Sequence, residues 1–392
     1  MLAATVRVAR DLDLAEECVQ EAYVAALSAW ADGLPDNPGA WLTATARRKV
    51  LDAIRREQRF RSKMHLLVEP DVTETEEPEE HVFRDDRLRL VFTCCHPALA
   101  KEAQIALTLR LICGMSTADI SRMFLVSETT MAARVTRAKK KIMAARIPYR
   151  VPPPEELPDR LDAVLTVIYL LYTTGHTAPS GGQLVREDLV DAAMHLARML
   201  VELMPDEREV RGLLALMLVT DARRLTRTDA EGRLLLLEEQ DRSLWDLAAI
   251  EEGCRLVAEA LRGGSPGRFT VQAAIAAEYV RAPTFAETDW ERILAFYNYL
   301  LTLWPSPVVA LNRAVALAMR SGPAAGLGEV ERLESTGQLA GYRYLAATKA
   351  DLLRRVGRHA EAVSTYQKAV QLADNDAERA FLVARMAESA RH

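Results

Sequence analysis

The chain has 392 residues with a formal net charge of −5, a length that exceeds one ordinary core and points to two or three domains. Apolar residues make up 49% of it, which excludes a largely disordered chain, and the wealth of Ala, Leu, Arg and Glu predicts an all-α fold. Net charge averages over domains, so it excludes an evenly basic chain but not locally basic modules.

Residues 1–65 read as three helices. In "DLDLAEECVQEAYVAALSAW", Leu14, Cys18, Ala22 or Tyr23, and Leu27 recur at helical spacing. "ADGLPDNPGA" is a loop of Pro, Gly, Asn and Asp. "WLTATARRKVLDAIRREQRFRSK" is then an amphipathic helix with Trp41, Leu42, Ala46, Val50 and Ile54 on one side. Its Arg47, Arg48, Lys49, Arg55, Arg56, Arg59, Arg61 and Lys63 face only Asp52 and Glu57, so the segment is strongly basic. Trp41 could stack on an unpaired base, but at the start of an amphipathic helix it reads better as core.

The charge reverses over residues 66–86. "EPDVTETEEPEEHVFRDD" is acidic, holds two prolines and lacks a helical period, so an acidic flexible linker is expected.

Residues 87–147 resume helical patterning and contain "STADISRMFLVSETTMAARVTRAKKKI". Ile120 and Phe124 mark a short first helix, Leu125, Val126 and Ser127 a turn, and Ser127 the N-cap of a second helix. Met131, Val135, Ala138 and Ile142 form the buried stripe of that second helix. This is a helix-turn-helix pattern, whose second helix presents its N-terminal side chains to a major groove. Ser127, Thr129, Thr130, Ala132 and Ala133 are short enough for close approach. Arg134, Arg137, Lys140 and Lys141 follow, and the tail from Arg137 to Lys141 is expected to meet phosphates, which position rather than specify. A basic helix end stabilised by the dipole is the rival reading of that tail alone. The second basic segment, at 47–63, favours a protein that grips two separated DNA elements.

Residues 148–159 lie in a stretch, "IPYRVPPPEELPD", with five prolines, and form a Pro-rich linker. Residues 160–392 are again helical, with breaks at "LMPDERE", "RGGSPGR", "VRAPTFAETD" and "LWPSPV". The segments from Asn312 and from Lys349 form a weak repeat, with Gly322 and Gly357 in corresponding turns 35 residues apart. That is close to the tetratricopeptide period of about 34, so tetratricopeptide-like helix pairs are expected at 308–375.

Enzymatic chemistry is not expected: no nucleophile–base pair, phosphate loop or paired acid stands out. "CCHP" at Cys94–Pro97 invites a metal, but adjacent cysteines chelate poorly beside His96 and no CxxC spacing occurs, so burial is expected and no metal or cofactor. Tyr169, Tyr172, His176 and the "APSGG" loop could frame a small pocket, although such a loop usually marks only a turn. The longest apolar run, Ala163–Tyr172, is about half of what spans a bilayer, so no membrane association and a cytoplasmic location are expected.

The chain resembles the extracytoplasmic-function type of bacterial RNA polymerase sigma factor, in the sigma-70 family, and within it the group with a long C-terminal helical, tetratricopeptide-like extension. "DLDLAEECVQEAYVAALSAW" and "NPGAWLTATARRKVLDAIRR" resemble the family's region 2, and "ALTLRLICGMSTADISRMFLVSETTMAARVTRAKKKI" its region 4. "FTCCHPAL", "YLLYTTGHTAPSGG", "TDWERILAFYNYLL" and "PSPVVALNRAVALA" resemble signatures of the extended group. The resemblance implies that Asp13, Glu16, Glu17, Gln20 and Glu21 face core RNA polymerase, and that Arg47, Arg48, Lys49, Arg55 and Arg56 lie along the −10 element. It also implies that Ser127, Thr129, Thr130, Ala133, Arg134, Arg137, Lys140 and Lys141 read the −35 element. Arg48 stands where the family commonly has an asparagine, which shifts the implied −10 contacts toward phosphates. The family also has about a helix more of chain than precedes Leu2 here. The extension is implied to regulate activity, answering to a protein or small-molecule regulator. The alternative is a conventional helix-turn-helix regulator that acts without core polymerase.

Overall fold

The computed structural model describes residues 1–31, 33–64, 81–124, 126–177 and 184–391; of residues 57, 59–64, 81–85, 122 and 123 it describes the backbone alone. Among the described residues regular structure is helical, apart from an isolated antiparallel bridge between Thr228 and Leu234, so the all-α expectation holds. The chain divides into two compact units, Met1–Ile168 and Tyr169–His392.

The first unit opens with α1 (Leu2–Ala9), α2 (Leu12–Ala29) and α3 (Pro38–Met64), which pack on one another. Asp11 caps α2, its carboxylate accepting the Leu14 N–H at 2.9 Å. The buried face of α2 is Leu12, Ala15, Cys18, Ala22 and Ala26. Of the expected stripe, Cys18 and Ala22 are buried, whereas Leu27 and the alternative Tyr23 are 81% and 53% exposed. The reason is steric. Alanines at the contact, met by Ala46 of α3, let the helix axes approach more closely than Leu or Tyr would allow. Trp41 packs edge-to-face on Trp30, ring centroids 5.3 Å apart, half-buried against the edge of this cluster.

After α4 (His81–Cys94) and α5 (Lys101–Leu111) come α6 (Thr117–Met123) and α7 (Glu128–Ala144). Two expected boundaries move. The helix α4 starts at His81, inside the segment read as a flexible linker ending at 86. Asp86 is buried there, 3.5 Å from Arg7 and 3.3 Å from Arg89, because two guanidinium partners offset the cost of burying its charge. Residues 65–80, which carry most of the linker reading, lie outside the described residues, as do the side chains of Arg59, Arg61 and Lys63. The next helix, α8 (Leu157–His176), starts three residues before the expected 160, since Pro158 is tolerated in a first helical turn.

The Pro-rich segment between α7 and α8 is anchored by Tyr149, whose hydroxyl donates to the carbonyls of Ala3 (2.7 Å) and Asp86 (3.1 Å). Cys94 and Cys95 are buried at the α4–α5 joint, where Gln104 donates to the His96 and Leu99 carbonyls. Burial pushes the Cys95 thiol up to about 11, and the described residues contain no group of His, Cys, Asp or Glu fit to hold a metal.

The second unit continues through α9 (Glu187–Leu203), α10 (Arg208–Asp221), α11 (Leu247–Leu261), α12 (Arg268–Arg281) and α13 (Trp290–Leu303). It ends with α14 (Pro307–Ser321), α15 (Pro323–Ser335), α16 (Arg343–Arg355), α17 (His359–Gln371) and α18 (Asp376–Ser389). The helix α10 is its hub, packing on α9, α11 and α12 with Val210, Leu213, Leu214, Ala215 and Met217 buried. Glu209 caps α12 from outside: its carboxylate accepts the N–H groups of Gly267 (3.1 Å), Phe269 (2.8 Å) and Thr270 (3.2 Å).

The four breaks read from sequence all fall between helices, and Gly322 and Gly357 sit in the α14–α15 and α16–α17 turns with φ of +93° and +83°. Residues 222–246 were read as part of a helical domain, but they form an irregular connection with two short 3-10 turns. Asp229 folds it back, accepting the Glu231 and Arg233 N–H groups and pairing with the Arg233 guanidinium.

Candidate nucleic-acid interface

The α6–α7 pair has the geometry of a helix-turn-helix. Ser116 caps α6 by accepting the Asp119 N–H at 3.0 Å. Ser127 caps α7 by accepting the Thr130 N–H at 3.2 Å, and its hydroxyl also bonds those of Thr129 (2.9 Å) and Thr130 (2.8 Å). These three hydroxyls form one exposed polar cluster at the start of the helix. Met131, Val135, Ala138 and Ile142 are all buried, as their spacing predicts.

The opposite face carries exposed Thr129, Thr130, Ala132, Ala133, Arg137, Lys140 and Lys141, with Arg134 half-buried. The short side chains thus lie at the N-terminal end and the cations follow. Lys139 departs from the expected phosphate-facing tail: it is turned inward, with only 10% of its side chain exposed. Its ammonium lies 2.6 Å from the Asp13 carboxylate and also pairs with Glu16, whose other oxygen is 3.2 Å from Arg110. Burial pulls the Lys139 pKa down, but the hydrogen bonds to Asp13 and Glu16 more than reverse this, leaving it above its usual range.

The expected −10 set divides. Arg48, Arg55 and Arg56 are exposed along α3. Lys49 is held by Glu21 at 2.9 Å. Arg47 is half-buried toward the helical core, its pKa lowered by burial and then by Arg7.

The expected polymerase-facing set on α2 also divides. Asp13, Glu17, Gln20 and Glu21 are exposed, whereas Glu16 is sheltered by its two cations. The sequence reading missed the apolar part of this surface. Tyr23, Val24 and Leu27 are exposed beside the acidic residues, Leu34 is exposed in the loop that follows, and Leu51 is exposed on α3. Tyr23, Val24 and Leu27 share one side of α2, spaced by one and four residues. The signal available in the sequence was the alanine stripe at 15, 22 and 26, which leaves the larger residues facing out.

Comparison with known proteins fits this geometry. Residues 2–60 match the family model "Sigma-70 region 2" and residues 89–142 match "Sigma-70, region 4". Residues 160–261 match a "Family of unknown function (DUF6596)". A protein of Rhizobium meliloti (strain 1021), named only as uncharacterized, is 43% identical over 388 residues, covering 97% of this chain and 91% of its own length. No helix among the described residues is long and apolar enough to cross a membrane. The two sigma modules in this order, joined to a C-terminal helical region, place the chain in the sigma-70 family of RNA polymerase sigma factors, in the extracytoplasmic-function architecture, a non-enzymatic family that binds core RNA polymerase and promoter DNA.

Proposed function

We propose that this protein reads the −35 element through α7 and the −10 element through α3, and docks on core polymerase through α2, with the C-terminal helical unit regulating initiation. The observation that carries the reading is the ordered face of α7: an N-terminal cluster of Ser127, Thr129, Thr130 and Ala133, then Arg134, Arg137, Lys140 and Lys141. Short polar groups reach base edges without forcing the backbone away, and the cations take phosphates on either side of the groove. Exposed Arg48, Arg55 and Arg56 support a second phosphate-led grip on α3. Paired helices α14–α15 and α16–α17, each turning at a positive-φ glycine, support a tetratricopeptide-like reading of 308–375 and hence a surface for a protein regulator.

Run-off transcription with holoenzyme reconstituted from the full chain tests the promoter reading. Initiation must start downstream of a defined −35/−10 pair, and an operator-type regulator would instead bind DNA without co-purifying with core polymerase. Comparing the full chain with one ending at Ile168 tests regulation: identical output and promoter choice under all conditions would remove that part.

A further inference from the structure

The second unit holds a cleft of about 680 Å³ that the promoter reading leaves without a role. Its walls come from the start of α9 (Arg186, Glu187, Asp188), the irregular connection (Arg224, Arg227, Thr228) and Ala377 at the start of α18. Three arginines, Arg223, Arg224 and Arg227, follow the end of α10. Arg224 takes the sheltered carboxylate beside them, Asp221, through two hydrogen bonds of 2.9 and 2.7 Å. Its other acidic neighbours, Glu187 and Asp191, are 71% and 73% exposed, so water screens them.

Arg223 and Arg227 have no ion pair among the described residues. Among the described residues the Arg227 guanidinium donates to two neutral oxygens, the His176 carbonyl and, at 3.0 Å, the Thr177 hydroxyl. Both guanidiniums are half-buried, the Glu378 and Asp221 carboxylates act on Arg227 from beyond ion-pair distance, and an anion arriving beside it would offset the cost of its burial. The surrounding field registers the imbalance. Burial, then the charges of Arg227, Arg223 and Arg224, push the His176 imidazole down to about 2, and burial with Arg227 and Arg242 pushes Arg223 down to about 10. The start of α9 carries Glu187 and Asp188 in its first turn, with Asp188 paired to Arg186 at 2.9 Å, so the anion-attracting charge of the cleft rests on its arginines.

We propose that this cleft binds a small oxyanion-bearing molecule, with the phosphate or carboxylate head at Arg227. Polar walls of Thr228, Glu187 and Asp188 suit a hydroxyl- or amine-bearing body rather than an apolar one. The site belongs to the second unit alone and does not depend on how the protein reads promoters.

Calorimetric titration of the full chain at low ionic strength, with inorganic phosphate in one arm and succinate in the other, tests it. Saturable one-site binding in either arm is expected, and the arm that binds names the head group. Arg227→Gln is expected to weaken binding at least tenfold, while Arg255→Gln, on the exposed face of α11, leaves it unchanged. Absence of saturable binding in both arms, or equal affinity in Arg227→Gln, overturns the proposal. If circular dichroism shows Arg227→Gln unfolded, Ala377→Trp takes its place. It fills the cleft from the start of α18 and must abolish binding, and retained binding rejects the site.

Discussion

Lys139 Nζ lies 2.6 Å from Asp13 Oδ1, joining the inner face of α7, the second helix of the helix-turn-helix, to the first turn of α2, the helix proposed to dock on polymerase. Glu16 shares the same ammonium and also meets Arg110, so two cations of region 4 hold two carboxylates of region 2. The contact occupies carboxylates that the proposed polymerase surface needs. Lys139→Ala is therefore expected to loosen the first unit by about 2 kcal/mol, since it leaves sheltered Glu16 with one partner fewer. The same change is expected to tighten core-polymerase binding severalfold. Thermal melts and pulldown titrations with core enzyme measure the two effects. Weaker core binding by a folded Lys139→Ala would show that the pair supports docking instead of competing with it.

Leu27 offers a cleaner probe of the docking surface, because its side chain is 81% exposed and contributes little to the fold. Leu27→Asp is expected to leave the melting temperature within about 2 °C while lowering core-polymerase affinity about tenfold or more, as an apolar anchor at an interface does. An unchanged affinity would remove Tyr23, Val24 and Leu27 from the docking surface.

On α7 the two halves of the face should separate experimentally. Arg137→Ala removes one of the proposed phosphate contacts and is expected to lower holoenzyme affinity on all promoters alike, reducing the slope of log affinity against log salt by about 1. Ala133→Gln is expected to change which −35 sequences are preferred while leaving that slope intact. Anisotropy titrations over a salt series, on a panel of −35 variants, distinguish them. A Gln substitution that weakens every sequence equally contradicts the base-reading role.

The contrast between α7 and α2 explains what was legible in the sequence. Met131, Val135, Ala138 and Ile142 are mostly large apolar residues at strict helical spacing, so the buried face of α7 could be read directly. On α2 the buried face is alanine-rich, and alanine carries too little hydrophobic signal to outweigh Tyr23 and Leu27, which therefore looked like core. Lys139 hid within a run of three lysines. Its phase gives it away only afterwards: it lies four residues after Val135 and three before Ile142, on the buried side. The arginine cluster at 223–227 was invisible for another reason. Its chemistry comes from an irregular connection meeting the starts of α9 and α18, and no local pattern encodes that meeting.

Close helix contact in the second unit is set by small residues. A Cβ on Gly212 would lie 2.7 Å from the Thr270 backbone nitrogen and 2.8 Å from its Cα, so α10 and α12 touch backbone to backbone there. Gly212→Ala is expected to destabilise the second unit by about 1–3 kcal/mol, the usual cost of forcing an extra carbon into a packed core. Gly328→Ala, where a Cβ meets nothing within 4 Å in α15, is expected to be neutral or slightly stabilising through helix propensity. Chemical denaturation of both variants checks the pair, and similar costs would argue against tight packing as the cause.

His176 makes the acid stability of the second unit predictable. Burial and three neighbouring arginines push its pKa from 6.5 to about 2, so the folded chain keeps the imidazole neutral throughout the range from pH 7.5 to 5. The unfolded chain protonates it below about pH 6.5, and so binds more protons than the folded one. Stability therefore falls as pH drops below 6.5, by up to about 1.4 kcal/mol per pH unit from this group alone, and is fully retained above pH 7.5. Carboxylates titrate mainly below pH 5, so the window between pH 6.5 and 5 reports chiefly on histidine. His176→Gln, which keeps a hydrogen-bonding group near the Tyr172 hydroxyl, is expected to flatten the stability profile there. Denaturation midpoints at half-unit steps from pH 7.5 to 5 measure it, and parallel profiles for the two proteins would place His176 in water with an ordinary pKa. An anion seated at Arg227 would oppose the same arginine charges, so saturating ligand is expected to raise the His176 pKa, and its imidazole resonances in NMR titrations would follow that shift directly.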